Sequence, residues 1–159
     1  MARTGSCFVV FGKTVKPAST KKTNRVSEST TFSGTWTLTF PSDWDALDRF
    51  ETKELKTRKD FDLSPEAKAF SKTVTYTTTS DAGKFKKDTT CSLDLGRVEM
   101  IAVITLNEKK LRTLWTSPYR LDITDALKPG RNTLQIEVTG TWFNRLVYDA
   151  NQPEDQRKT

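Results

Sequence analysis

The side chains best suited to chemistry in this chain are aromatic, guanidinium and amide groups set in or beside loops. Trp115, Tyr119 and Arg120 stand around Pro118, and Trp142, Asn144 and Arg145 follow in one short run further on. Trp44 sits between Asp43 and Asp45 in a turn-rich segment. Flat rings stack on apolar faces, and guanidinium and amide groups supply hydrogen bonds. That is recognition chemistry, or the chemistry of holding one surface to another. Bond-breaking chemistry is poorly served. The chain has no histidine, which removes Ser-His-Asp and Cys-His nucleophilic sites and histidine metal centres together. Carboxylates are plentiful, but no spacing pairs two of them for acid–base work. Asp43, Asp45 and Asp48 resemble the start of a calcium loop, yet no glycine follows where an EF-hand needs its sharp turn.

Each candidate also has an architectural reading. Trp36 alternates with core residues and belongs to the core. Trp115 and Tyr119 flank Pro118 and can cover one end of the core. Trp142 stands between core edge and platform, and Trp44 between an exposed aromatic and an anchored loop. Arg145 with Asp149 reads as an ion pair pinning the last strand, and Asn144 and Arg145 could equally contact a neighbouring domain.

The elements that must position these groups are strands. Phe32, Trp36, Leu38 and Phe40 share one parity and Ser33, Thr35, Thr37 and Thr39 the other, which predicts a strand with one buried and one wet face. Pro41 ends it. RFETKEL is a short strand, and Ser64-Pro65 starts one helical turn, Ser as cap and Pro at the first position. Phe70, Val74 and Tyr76 alternate again, and SDAGKFKKD is a hairpin-type connection with Gly83 available for positive φ. Cys91, Leu93 and Leu95 alternate up to Gly96. VEMIAVITL predicts a central strand, LRTLW and YRLDI short ones. Asp122 and Thr124 precede a brief DAL turn. KPGRN is a reversal, and TLQIEVT alternates Leu134, Ile136 and Val138 inward. TWFNRLVYD closes the domain as its last strand. Eight to ten short strands without a long helical period predict an all-β antiparallel sandwich.

Length suits one domain. The net charge of +6 is concentrated: residues 1–30 hold six cations against Glu28 alone, so the remainder carries only +1. A basic, polar lead can bind phosphates loosely, but a solvated linker is the simpler account, which argues against nucleic acid as a partner. The expected organisation is a strand over 1–12 left from a preceding domain (CFVVF), a linker over 13–31, the sandwich over 32–150 and a polar tail over 151–159. Two cysteines, Cys7 and Cys91, are too few for a disulfide framework; two buried free thiols are expected over one bridge. No apolar run is long enough to span a membrane, and the N-terminus lacks the apolar stretch of a signal peptide.

One series of motifs carries a resemblance. LDLG at Leu93–Gly96, VEMIAVITLNEKKL, LWTSPYRLDITDALKPGRNTLQIEV and TWFNRLVYD resemble, in that order, the jelly-roll, galactose-binding-like domain of glycoside hydrolases. The match is to the sugar-binding domain of the β-galactosidase superfamily (glycoside hydrolase family 2) and, more closely, to the C-terminal sandwich of family 106 α-L-rhamnosidases. Gly34-Thr35-Trp36 through Pro41 resembles that family's opening strand. The departures fall at loops: Asn107-Glu108 replaces an Asn-Gly turn, Tyr148 stands where a glycine is common, and a Ser-Trp-Thr segment has no counterpart near Leu55-Lys56-Thr57.

The resemblance implies a non-catalytic, carbohydrate-binding-like accessory domain of a rhamnosidase-like enzyme, with catalytic carboxylates on a separate barrel and an extracellular or periplasmic setting. Its partners would be plant or algal polysaccharide side chains, or an adjacent catalytic domain that it merely packs against. Sugar contacts would fall on Trp44, Trp115, Tyr119, Arg120, Trp142, Asn144 and Arg145. No cofactor is implied beyond a structural calcium of the kind jelly-roll modules carry.

Overall fold

The computed structural model describes residues 28–32, 34–42, 49–56, 60–86 and 89–157. The chain divides into two units, Met1–Phe32 and Ser33–Thr159, and nearly all described residues belong to the second. The CFVVF strand, Cys7, Trp44 and the Asp43–Asp45–Asp48 run lie outside the described residues.

The second unit is an all-β, antiparallel sandwich. Its strands are β1 (Trp36–Thr39), β2 (Arg49–Thr52), β3 (Thr73–Asp81), β4 (Ser92–Asp94), β5 (Ile101–Leu106), β6 (Lys109–Leu114), β7 (Arg120–Asp122) and β8 (Arg131–Thr139). Six form one sheet in the order β2-β1-β3-β8-β5-β6, and β4 pairs with β7 in a second. The expected alternation sets the core: Trp36, Leu38 and Phe40 from β1 and its exit, Val74 from β3, Ala102, Ile104 and Leu106 from β5, and Leu134 and Ile136 from β8 are all buried. VEMIAVITL supplies an interior strand, as its apolar character predicts. β6 forms an edge, and its Lys109, Lys110, Arg112 and Thr113 are exposed, charges that discourage pairing with a further strand. A register shift against β5 makes Leu111 an extra residue, which bends the edge further.

Gly34 explains itself by packing. A Cβ there would stand 2.6 Å from the Thr79 carbonyl oxygen and 2.7 Å from the Thr78 Oγ1. The space it leaves lets Thr78, itself buried, donate to the Thr35 carbonyl at 3.0 Å.

Two sequence readings need correcting. The Gly83 connection does not close a hairpin: β3 lies in the six-stranded sheet and β4 in the other, so the loop crosses between layers. TWFNRLVYD is not a strand. Phe143–Ala150 is helix α2, opening with a Leu146 N–H to Trp142 carbonyl bond of 2.9 Å. The spacing agrees with a helix, since Trp142 and Leu146, Phe143 and Val147, and Arg145 and Asp149 are each four apart. The Ser64-Pro65 turn forms as read. Helix α1 (Pro65–Lys68) has the Ser64 hydroxyl accepting from the Ala67 N–H at 3.2 Å. Helices α1 and α2 pack against each other. Among the described residues no helix is long and apolar enough to cross a membrane.

Candidate functional site

The register gives the six-stranded sheet two distinct ends. At one, β3 begins and β8 finishes with Thr73 opposite Thr139, which also pairs with Ile101 at the start of β5. One residue along, Ala102 pairs with Leu114, the last residue of β6. Trp115 therefore leaves the sheet at the end where α1 enters and α2 departs. Trp115, Tyr119, Arg120, Trp142, Asn144 and Arg145 all belong to segments around this end.

Their environments differ. Trp115 is 74% exposed and Trp142 is also exposed. Tyr119 is buried, and its hydroxyl donates to the Met100 carbonyl at 2.8 Å. It ties the 115–119 loop to the entry of β5, where Met100 is held at φ 85. Arg120 is exposed, but Nε (3.0 Å) and Nη2 both donate to one Asp94 oxygen, Oδ2, across the β4–β7 pair. The other oxygen, Asp94 Oδ1, accepts the Gly96 N–H at 2.9 Å. That N–H and the Arg120 guanidinium hold the Asp94 carboxyl below its usual range. Asn144 is half-buried.

Arg145 forms the ion pair with Asp149 that the sequence suggests, but within a helix rather than on a last strand. It is 3% exposed and Asp149 2%, and Nη2 lies 2.7 Å from Asp149 Oδ1 within α2. The guanidinium also sits over the Tyr148 ring, 5.2 Å from its centroid, a favourable placement for a cation. Tyr148 donates in turn to Glu66 of α1, and that bond lowers the Glu66 carboxyl while raising the Tyr148 phenol. The residue standing where the resembled family often has glycine thus joins the two helices.

Helix α2 is consequently inside out. Its buried side chains are Arg145 and Asp149, while Phe143 (67% exposed), Leu146 and Val147 face outward beside Trp142. Met100, Ile101 and Trp115 are exposed at the adjoining end of the sheet. Composition alone hides this, because an amphipathic helix ordinarily turns its apolar stripe inward. The tell-tale in the sequence is the Arg-x-x-x-Asp spacing inside an apolar run.

The opposite end of the sheet is polar and closed. Asn132, 1% exposed, accepts from Asn107 Nδ2 (2.7 Å) and the Lys128 N–H (2.9 Å), and donates to the Lys128 and Gly130 carbonyls at 2.7 Å each. Asn107 also donates to the Ala126 carbonyl at 2.9 Å. Asp122 takes the Thr124 N–H at 2.8 Å, and Thr124 takes the Cys91 N–H at 2.9 Å, so the DAL turn is pinned as its composition suggests. Cys91 is a half-buried free thiol. An open cleft of about 420 Å³ runs between β6 and the 121–126 segment, lined by Lys109, Lys110 and Arg112 against Asp122 and Asp125.

No group of three or more His, Cys, Asp or Glu side chains converges among the described residues. Asp94 and Asp122 are each turned onto backbone N–H groups, and Asp94 also onto Arg120. Among carboxyls with a perturbed acidity, Glu66, Asp94 and Asp122 are all lowered, by Tyr148, Gly96 and Thr124 respectively. A general acid needs the reverse.

Comparison with known proteins agrees with this architecture. Residues 42–158 match the family described as glycosyl hydrolase 2 galactose-binding domain-like. A protein of Formosa agariphila, provisionally named a beta-glucuronidase, is 40% identical over 124 residues, covering 77% of this chain and 11% of its own length. A rhamnosidase from Novosphingobium sp. PP1Y superimposes with a TM-score of 0.71 at 32% identity, over 86% of this chain and 14% of that one. A beta-glucuronidase from an uncultured Clostridium sp. shares the fold with a TM-score of 0.58 at 22% identity, over 67% of this chain and 21% of its own. The chain thus spans between a tenth and about a fifth of the length of these relatives. The motif series, the sandwich and the family match concur, and the chain belongs to the galactose-binding-like domains of the family 2 glycosyl hydrolases.

Proposed function

We propose that this chain works as a non-catalytic accessory domain of a glycoside hydrolase. The observation that carries the reading is what the carboxylates do. Glu66, Asp94 and Asp122 are lowered by hydrogen bonds that serve the fold, and Asp149 is buried on Arg145. A retaining or inverting glycosidase needs two carboxyls facing a sugar ring across roughly 5–10 Å, one of them raised in acidity constant. The relatives, whose names are those of glycosidases, are five to nine times longer than the part this chain covers. The test is turnover of aryl glucuronides, rhamnosides and galactosides by the isolated chain. No hydrolysis above buffer is expected, and a rate abolished by a single carboxylate substitution would overturn the reading.

A second role, direct carbohydrate contact, is favoured by Trp115 alone. It is the most exposed large apolar side chain described, on a loop that leads to the Arg120–Asp94 pair. Ring stacking with neighbouring polar groups is how a sugar face is held. Titration with rhamnose- and galactose-containing polysaccharides, followed by tryptophan fluorescence, tests it. Binding at millimolar sugar that Trp115→Ala removes supports the role, and an unchanged spectrum ends it.

A further inference from the structure

We infer that the outward face of helix α2 is a docking surface for the catalytic domain of the glycoside hydrolase to which this domain belongs. The inference rests on the accessory-domain reading and names its partner. Of the eight large hydrophobic side chains exposed among the described residues, all but Leu55 lie on α2 or at the sheet end it leaves. Apolar groups so concentrated mark an interaction site rather than ordinary surface. Phe143, Leu146 and Val147 recur at three- and four-residue spacing, the pattern of a helix presenting anchors to an apolar groove.

The chemistry of that face selects the occupant. A sugar would need hydrogen-bonding groups among the exposed side chains, but Phe143, Leu146 and Val147 carry none, Asn144 is half-buried, and Arg145 is turned inward onto Asp149. A phosphate-bearing or anionic lipid partner would need exposed cations, and α2 offers none. What fits is an uncharged, apolar protein surface. The relatives carry most of their length outside the part this chain matches, so they contain the protein mass that such a face requires. The buried ion pair explains how the arrangement persists: Arg145 and Asp149 give α2 an inner face of its own, leaving the apolar residues for the partner.

The experiment compares hydroxyl-radical labelling of the isolated chain with that of the endogenous polypeptide, purified natively with an antibody raised to the chain. In the endogenous form Trp142, Phe143, Leu146 and Val147 should label on the order of tenfold more slowly, as expected at a desolvated interface core. Leu146→Glu with Val147→Glu, introduced into the endogenous gene, should restore fast labelling, because each places an unpaired carboxylate in an apolar interface and so weakens association by about 30-fold or more. The same pair in the isolated chain should leave its thermal midpoint within a few degrees, since both side chains are exposed. Equal labelling in both forms, with aryl-glycoside turnover present in the endogenous form, overturns the docking surface and leaves the accessory reading intact. Protection by a second copy, seen as a homodimer on sedimentation, overturns the choice of partner. Protection in an endogenous form without glycosidase activity overturns both.

Discussion

The two ends of the six-stranded sheet solve the same problem in opposite ways. Strands must stop, and their last backbone groups and side chains must be covered. At the end where β5 turns into β6, the cover is internal: Asn107 and Asn132 knit the turn to the 126–132 reversal, and every donor and acceptor of the Asn132 amide is used. At the end where α2 leaves β8, polar groups are again buried, as Arg145 on Asp149, yet the apolar residues stand outside. A finished end is polar outside and satisfied inside. The α2 end has its apolar groups where a partner would meet them. The difference separates the part of the molecule that closes the fold from the part that reaches beyond it.

The largest test of this contrast breaks the ion pair on one side only. Arg145→Met leaves the Asp149 carboxylate buried at 2% exposure and should cost about 3–5 kcal/mol. The loss should appear first as faster amide exchange over Phe143–Ala150, because α2 is an outlying element, and as a lower thermal midpoint if it propagates. Arg145→Met with Asp149→Leu should recover most of it, since replacing a whole buried pair by apolar groups is often neutral or better. Failure of the double variant to recover would mean that the pair positions α2 rather than merely filling its inner face.

At the closed end the corresponding test is Asn132→Ala. It strands the Lys128 N–H, two carbonyls and the Asn107 amide at once, and should cost about 3 kcal/mol, on the order of 10 °C in thermal midpoint. Solvent entry at the turn would soften this, and a loss under about 1 kcal/mol would show that the network is not what closes that end. The next effect has the opposite sign. Asn107 and Glu108 both have positive φ, 51 and 67, the geometry of a type I′ hairpin turn that favours Asn-Gly. Glu108→Gly should therefore stabilise the chain by about 0.5–1 kcal/mol, read from denaturant midpoints. No gain would indicate that the Glu108 side chain offsets its own backbone strain.

What the sequence makes legible follows this division. The closed end is local chemistry except for its Asn107–Asn132 bond: Gly and Pro stand at the reversal, Asn at the turn and Asp122 and Thr124 at the DAL turn, and strand parity places Trp36, Leu38, Leu134 and Ile136 in the core. Such signals act over a few residues and survive translation into structure. The α2 end depends on long-range packing. Trp, Phe, Val and Tyr in TWFNRLVYD are good strand formers, and only the tertiary environment, a polar inner face against α1, makes them a helix with its apolar side out. The structural bond of Tyr119 is hidden for the same reason, because its hydroxyl partner is a carbonyl 19 residues away. The Asn107–Asn132 bond likewise joins residues 25 apart and needs the β5–β8 register before it can be seen.

The smallest expected effect sharpens how α2 is held. Tyr148 donates to Glu66 and so lowers the Glu66 carboxyl below its ordinary value of 4.5 while raising its own phenol above 10.0. For the depressed carboxyl, the stabilisation is present above the unfolded-state value and lost as pH falls through the folded one. For the raised phenol, it is present below the unfolded-state value and lost as pH rises through the folded one. The contact between the helices should therefore be strongest between these limits and weaken in both acid and alkali. Tyr148→Phe removes the donor while keeping the ring near Arg145, so the Glu66 titration followed by carboxyl-carbon NMR should move up towards the ordinary value. The thermal midpoint should change little, because the bond joins groups at the surface of the helix pair. The alkaline weakening should vanish altogether, there being no phenol to ionise at that position. If Glu66 keeps its lowered titration in Tyr148→Phe, then the capping bonds to the α1 backbone and Ser64 set its acidity, and α2 is held at the open end by the Arg145–Asp149 pair rather than by its link to α1.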